Sequence, residues 1–244
     1  MIVEAKILKR PEVSHFFSTA AAGNLSYYVG DDPANVTANR QRLVKALKLT
    51  DLTTAQQVHG SQLVIVTQGM GGRGSHDHES AIPETDALIT NLPNICLMVQ
   101  VADCVPILLY DPIKQVIAAV HAGWRGTVAN IAGKTVAAMR QACGSSPADI
   151  MASIGPSIGP CCFEVGEEVR LAAVKLPSSL LKDNHFDLWG ANDYLLKEAG
   201  VVKVENSRLC TSCHADQFFS YRKSQGKTGR NGAGIMLLPH PPSR

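Results

Sequence analysis

The sequence predicts an α+β domain in which helices cover a mixed β-sheet. Three observations carry that reading: a helical segment with a clear start signal, a dense succession of short apolar runs between residues 86 and 122, and helix-like segments on the far side of those runs. Asp31, Asp32 and Pro33 open the first helix, and Val36, Leu43, Val44 and Leu47 then recur at offsets of 7, 8 and 11 along one face, so a helix is expected over 33–48. QLVIVTQ (62–68) is rich in β-branched residues and leads into MGGRGSHDHES (70–80), a strand followed by a mobile loop. DALIT, ICLMVQVA, PILLYD and QVIAAVHA read as four short strands, the last two joined as a hairpin through Asp111 and Pro112. Several of them lack clean alternation, the pattern of strands covered on both faces, which places the sheet between layers.

Helices are expected over Thr127–Ala142, ended by Gly144, and over Glu164–Val174, with the strand IMASIG between them. Short strand and turn signals return near 201–205 and in AGIMLL (233–238). SIGPSIGP (153–160) reads as consecutive turns. With no low-complexity linker and no repeat of solenoid length, residues 1–244 are expected to form one domain.

Composition narrows the function classes. The chain has 244 residues, 45% hydrophobic and 18% charged, enough to bury a core without staples. A formal net charge of +2 is too near zero for the broad electrostatic footprint of nucleic-acid binding. The longest apolar stretch, Ile95 to Ala102, is interrupted by Gln100 and falls short of the roughly 20 residues that span a bilayer, so no membrane segment is expected. Seven cysteines, an odd number, suit a reducing compartment, and MIVEAKILKRPEV has neither a signal-peptide core nor a twin-arginine signal, so a cytoplasmic location is expected.

Three segments combine a metal-capable side chain with Gly, Asp or Pro punctuation: QQVHG (His59), VADCVP (Cys104) and AVHAGWRG (His121). Each is read at the end of a strand. Gaps of 45 and 17 residues are too long for one helix but natural if three strand ends converge at one edge of a sheet. Two imidazoles and a thiolate with a fourth position open to water match the stoichiometry of catalytic zinc. The alternative is a small buried thiol and two histidines that cap strand ends through backbone hydrogen bonds. The residues alone leave both readings open.

The strings QVHG, ADCVPILLYDP, HAGWRGT, IGPSIGPCCFEVG and FFSYRK followed by TGR, in that order, resemble the motifs of the YfiH family, the bacterial relatives of laccase-domain-containing proteins. The similarity runs from about residue 16 to 238. It implies a YfiH-like fold of the CNF-toxin type and a metal site made of His59, Cys104 and His121. It also implies work on purine nucleosides with zinc: phosphorolysis of adenosine, inosine and methylthioadenosine to ribose 1-phosphate (or its methylthio analogue) and free base, with deamination of adenosine. The segment FFSTAAAGNLSYYVGDDP resembles the family's N-terminal motif but is shortened before Asn24 and Leu25, which bears on substrate contact from Asn24.

Given such substrates, Arg125 in WRG, at the entrance to a helix, is a candidate for a phosphate or ribose contact and for catalysis. Arg222, Lys223, Lys227 and Arg230, flanked by Phe218, Phe219 and Tyr221, would present cations and an aromatic wall to a nucleoside and phosphate, the alternative being a solvated turn. Glu164 reads as a carboxylate at a helix N-terminus. Other strings fit plainer readings. Cys210, Cys213 and His214 spell the haem-attachment sequence CxxCH, but haem attachment needs an exported chain, and a surface turn near a free thiol pair is the plainer reading. Lys227 and Thr228 lack the earlier glycine of a phosphate loop, where Tyr221 stands. His76 and His78 read as solvated loop histidines.

Other functions use the same residues. A copper polyphenol oxidase would exploit the His2Cys set of blue copper, yet a multicopper enzyme needs more histidines than the eight present, and only His76 and His78 form an HxH pair. A cysteine hydrolase acting on a cell-wall precursor would take Cys104 as nucleophile and His121 as base. A metal-dependent binding module would more often close its site with a fourth protein ligand. The HxE and PCxxC signatures of zinc deaminases are absent, so any deamination here is a separate chemical solution.

Overall fold

Apolar runs without alternation need partners on both faces, and the chain supplies them by stacking two mixed sheets between helices. In the computed structural model, which describes residues 1–239, the first half contains β1 (Ile2–Val3), β2 (Val13–Ser18), α1 (Pro33–Leu47), β3 (Leu52–Thr53), β4 (Leu63–Ile65), β5 (Ala87–Thr90), β6 (Cys96–Val101), β7 (Val105–Asp111) and β8 (Val116–Ala122). There follow α2 (Trp124–Val128), α3 (Ile131–Cys143), β9 (Met151–Ile154), α4 (Glu167–Ala172), β10 (Leu181–Lys182), β11 (His185–Phe186), α5 (Leu188–Glu198), β12 (Lys203–Asn206) and β13 (Asn231–Leu237).

The expected mixed sheet covered by helices is present as two sheets. One has the order β1-β2-β13-β6-β3 and the other β12-β9-β7-β8-β5-β4, while β10 and β11 form a separate hairpin. Antiparallel pairs are flanked by parallel ones at the sheet edges, β3 with β6 in the first sheet and β4 with β5 and β12 with β9 in the second. Alternate residues of one strand serve different layers. Leu97 and Val99 of β6 meet Leu108 and Tyr110 of β7 and Ile117 of β8 between the sheets. Cys96 and Met98 turn outward onto Leu43 of α1. Ile107 and Leu109 pack on the other side with Val136 and Met139 of α3 and Leu196 of α5. Each fully buried Leu or Ile in these layers contributes about 1.5–3 kcal/mol relative to exposure.

Helix α1 starts where the sequence indicates, the Asp32 side chain accepting from the Ala34 N–H at 2.9 Å with Pro33 in the first turn. The hairpin β7–β8 pairs Val105 with Ala122 through to Asp111 with Val116. Asp111 Oδ1 accepts the Ile113 and Lys114 N–H groups in the turn.

Five expectations need correction. The helix expected over 127–142 is two helices, α2 and α3, because Asn130 adopts φ 59° and caps α3 by accepting the Gly133 N–H. The helix expected over 164–174 begins only at Glu167, after Gly166, and ends at Ala172, continued by a 3-10 turn. Glu164 is therefore no helix-terminal carboxylate and instead forms an isolated bridge with His185. The 62–68 strand shortens to Leu63–Ile65, and the glycine-rich loop after it is tied down: the buried Arg40 guanidinium donates to the Gly74 and Ser75 carbonyls, and Thr54 Oγ1 to Gly74 O. Among the described residues no helix is long and apolar enough to cross a membrane.

Candidate metal centre

His59, Cys104 and His121 come together where the chain passes between the two sheets. Cys104 lies in the turn from β6, in one sheet, to β7, in the other; His121 is near the C-terminal end of β8. His59 is not at a strand end but in the loop between β3 and β4, with φ 59°. Their donor atoms all lie within 4.8 Å of one another. The two imidazole rings meet edge to face, with centroids 4.8 Å apart.

Asp86, just before β5, organises two of the three. Its Oδ1 accepts the His121 Nδ1–H at 2.7 Å and the His59 backbone N–H at 3.1 Å, and its Oδ2 accepts the Gly60 N–H at 2.7 Å. The carboxylate thus holds His59 in the left-handed conformation and leaves His121 Nε2 to face the cluster. Gln57 steadies the same loop, exchanging two 2.8 Å hydrogen bonds with the backbone of Gln100. Cys104 is fixed through buried Asp103, whose carboxylate accepts from Thr211 Oγ1 at 2.6 Å and from the Arg222 N–H at 2.8 Å. Two glycines leave room. A Cβ on Gly123 would stand 3.2 Å from Cys104 Sγ, and one on Gly126 would stand 2.7 Å from the Gly60 carbonyl oxygen.

The electrostatics favour a thiolate. Burial by itself would raise the Cys104 thiol, but the His121 and His59 rings bring it down to about 6. Burial would lower His121, yet Cys104 and Asp86 raise it to about 9. Burial also opposes charge on Asp86, but His121 and the Gly60 and His59 N–H groups hold its carboxyl below the usual range. The donor set fits a metal: zinc bound at about 2.0–2.3 Å by tetrahedral nitrogen and sulfur ligands needs donors about 3.3–3.8 Å apart. No fourth protein donor joins this cluster among the described residues.

All three side chains line a cavity of ≈410 Å³. Tyr28, Trp124, Phe163 and Tyr221 add aromatic surface, and Arg125, Arg222 and Arg230 add positive charge. The Arg125 guanidinium lies 4.1 Å over the Trp124 ring and pairs with Glu168 at 3.0 Å. Arg222 donates to the Cys162 and Glu164 carbonyls, and Arg230 to those of Thr228 and Gly229. Asn24 is buried behind this wall, its Oδ1 accepting the N–H groups of Ser26 and Arg230 and its Nδ2 donating to Ser26 O and Asp31. Of the basic cluster, Lys223 and Lys227 do not reach the cavity lining, and Phe218 is buried away from it. His76 stands 3.9 Å from Asp51, and His78 lies beside the Tyr28 ring, both apart from the His59, Cys104 and His121 cluster.

Asp86, Tyr28, Trp124 and Phe163 shape the site without standing out in the sequence. For Asp86 a signal existed, an aspartate heading the apolar strand ALIT; for the aromatic residues there was none beyond their place in the quoted motifs.

A family model described as "Multi-copper polyphenol oxidoreductase laccase" matches residues 12–238. A protein of Bacteroides thetaiotaomicron named purine nucleoside phosphorylase is 38% identical over 247 residues, with 92% of each chain covered. The adenosine deaminase RL5, from an unknown prokaryotic organism, is 37% identical, covering 87% of this chain and 86% of its own. The crystal structure of YlmD from Geobacillus stearothermophilus superposes with a TM-score of 0.91 at 33% identity, covering 96% of this chain and 94% of that one. Fold, motifs and likeness over nearly the full length agree: the chain belongs to the laccase-like polyphenol oxidoreductase family that includes YfiH and YlmD.

Proposed function

We propose that the chain is a one-domain, zinc-dependent purine nucleoside enzyme. In this reading it carries out phosphorolysis of adenosine, inosine and methylthioadenosine to the sugar 1-phosphate and free base, and deamination of adenosine. The observation that carries the reading is the His59, Cys104 and His121 cluster facing a cavity that also offers aromatic surface and three arginines. The names of the relatives, purine nucleoside phosphorylase and adenosine deaminase, support the same substrates. Seven unpaired thiols support a reducing, cytoplasmic setting.

His59, Cys104 and His121 would hold the metal. Bound zinc supplies Lewis acidity, polarising an oxygen or nitrogen centre and bringing the pKa of water to about 7. The chain's own groups do the rest. Tyr28, Trp124, Phe163 and Tyr221 give the base flat apolar surface, and ≈410 Å³ accommodates a ligand of nucleoside size. Arg125, Arg222 and Arg230 each keep N–H donors beyond those used on protein oxygens, so they attract phosphate and orient it towards the sugar. Asn24 acts through Arg230, whose backbone it fixes. Asp86 keeps the proton on His121 Nδ1.

A cysteine hydrolase is the second reading, favoured by the Cys104 thiol being brought down to about 6 beside His121. A second imidazole, His59, converging on the same sulfur argues for a metal. Copper, the alternative metal, would use the same three ligands; the only other metal-capable cluster among the described residues is made of thiols and holds no histidine.

Chromatography of adenosine incubated with zinc-loaded protein, with and without phosphate, tests the proposal. Adenine that appears only with phosphate, inosine that appears without it, and loss of both in Cys104→Ala support it. No purine turnover by the zinc-loaded protein overturns it. Hydrolytic activity retained after complete chelation would promote the cysteine hydrolase, and copper-dependent phenol oxidation without purine turnover would promote the oxidase.

A further inference from the structure

The CxxC of residues 210–213, read from sequence as a surface turn, meets a second pair of thiols in space. Cys161, Cys162, Cys210 and Cys213 have sulfur atoms that all lie within 4.8 Å of one another. Cys213 Sγ is 3.4 Å from Cys162 Sγ and 3.5 Å from Cys161 Sγ. Four sulfurs around a zinc ion at about 2.3 Å sit about 3.8 Å apart on the edges of the tetrahedron. No pair of these sulfurs lies more than about 1 Å beyond that spacing. His214 is not among the converging donors.

We propose that these four cysteines form a second metal site, a closed tetrathiolate that takes zinc and serves the structure rather than the reaction. The set has the composition of structural zinc, four thiolates with no position left for water. One sulfur already has polar support: the Gly159 N–H points at Cys210 Sγ at 3.3 Å, and such donors stabilise a metal-bound thiolate. Cys161 and Cys213 are exposed, which leaves the ion a way in.

The location gives the site a purpose. It joins the segment between β9 and α4 to the segment between β12 and β13, two long connections with little regular structure. Between them run only a few backbone bonds, Ser157 N–H to Leu209 O at 3.1 Å and Thr211 N–H to Ser157 O at 3.0 Å. The first segment brings Ile158 and Phe163 to the cavity, the second Tyr221, Arg222 and Arg230. Arg222 donates to the carbonyl of Cys162 itself, at 2.8 Å. A tetrathiolate metal would staple one wall of the cavity from behind. A disulfide would engage two of the four thiols and leave two idle.

The proposal is independent of the metal and the substrate assigned to the cavity. Protein purified under reducing conditions, exposed to zinc and passed into zinc-free buffer is measured for metal content and by zinc X-ray absorption. Wild type is expected to hold at least one zinc with an all-sulfur shell, and a second equivalent where the cavity site also takes zinc. Cys104→Ala, which removes the thiol of the cavity site, is expected to keep a zinc with four sulfur neighbours at about 2.3 Å. Cys161→Ser with Cys213→Ser is expected to lose one equivalent and the all-sulfur shell. Should that double variant not fold, Cys104→Ala and wild type decide alone. Wild type with no all-sulfur zinc, whatever its total zinc content, overturns the proposal, as does a Cys161–Cys213 or Cys162–Cys213 disulfide in the reduced, zinc-exposed protein.

Discussion

Asp86 and His121 are joined twice, the His121 backbone N–H donating to the Asp86 carbonyl oxygen at 2.7 Å and the His121 ring Nδ1–H to Asp86 Oδ1, also at 2.7 Å. The first bond is part of how β8 lies against the segment before β5. The second turns the ring of a β8 residue towards Cys104. Because the same carboxylate also accepts the His59 and Gly60 N–H groups, one buried side chain sets two of the three proposed ligands.

Asp86→Asn should therefore weaken zinc binding about 10- to 100-fold, the usual cost of losing a supporting carboxylate. The metal-free fold should lose about 1–3 kcal/mol, because the neutral amide serves the buried donors less well. Competition against a chromophoric chelator and thermal melts of the metal-free protein measure the two effects. Unchanged zinc affinity would show that Asp86 does not orient the site.

Metal binding should release protons in a defined window. With Cys104 at about 6 and His121 at about 9, the metal-free site between those values holds a thiolate and an imidazolium. Zinc needs both groups unprotonated, so His121 gives up one proton and affinity rises about tenfold per pH unit across the window. Above about 9 these two groups release none, and below about 6 they release two. Titration calorimetry in buffers of different ionisation enthalpy counts the protons. Zinc affinity independent of pH between 6 and 9 would contradict the assignment.

Gly126→Ala should disturb the site from a distance. The new methyl would stand 2.7 Å from the Gly60 carbonyl oxygen, closer than such contacts tolerate, so α2 or the His59 loop must move. A cost of about 1–3 kcal/mol is expected, together with weaker zinc binding. Melting temperature and zinc content report it, and a variant matching wild type in both would mean that the loop yields freely.

Arg125→Ala should separate stability from phosphate use. Its ion pair with Glu168 is exposed, so stability should change by about 0–1 kcal/mol at most. Losing a charge-assisted donor worth about 1.5–3 kcal/mol should raise the KM for phosphate about 10- to 100-fold, with much less effect on the KM for the nucleoside. Phosphate saturation curves measure the split; an unchanged phosphate KM removes Arg125 from the proposed cradle.

Where local signals act alone, the sequence was easy to read. Asp32 and Pro33 start α1, and Asp111 makes the turn of the β7–β8 hairpin, because caps and turns are settled within a few residues. The short run 96–101 was legible as a strand, but nothing local says that it leaves the sheet of its neighbours β5, β7 and β8. Its partner β13, Asn231 beside Val101, is 130 residues away. Helix α5 carries little local signal: Gly190 and Asn192 weaken its propensity, and burial of Leu188 and Leu196 in the core makes up for it. At the site, His59, Cys104 and His121 could be chosen by donor chemistry. Asp86 was hidden inside a segment read as apolar core. The thiols of Cys210 and Cys213 were read apart from Cys161 and Cys162, since Cys162 and Cys213, now 3.4 Å apart, are separated by 51 residues.

Anomalous diffraction at the zinc edge from crystals of the zinc-loaded protein tests the central claim most directly. The account predicts a peak about 2.0–2.3 Å from a nitrogen of His59, the sulfur of Cys104 and Nε2 of His121, with a non-protein ligand in the fourth position. No peak among those three side chains, or a fourth protein side chain closing the site, would contradict it.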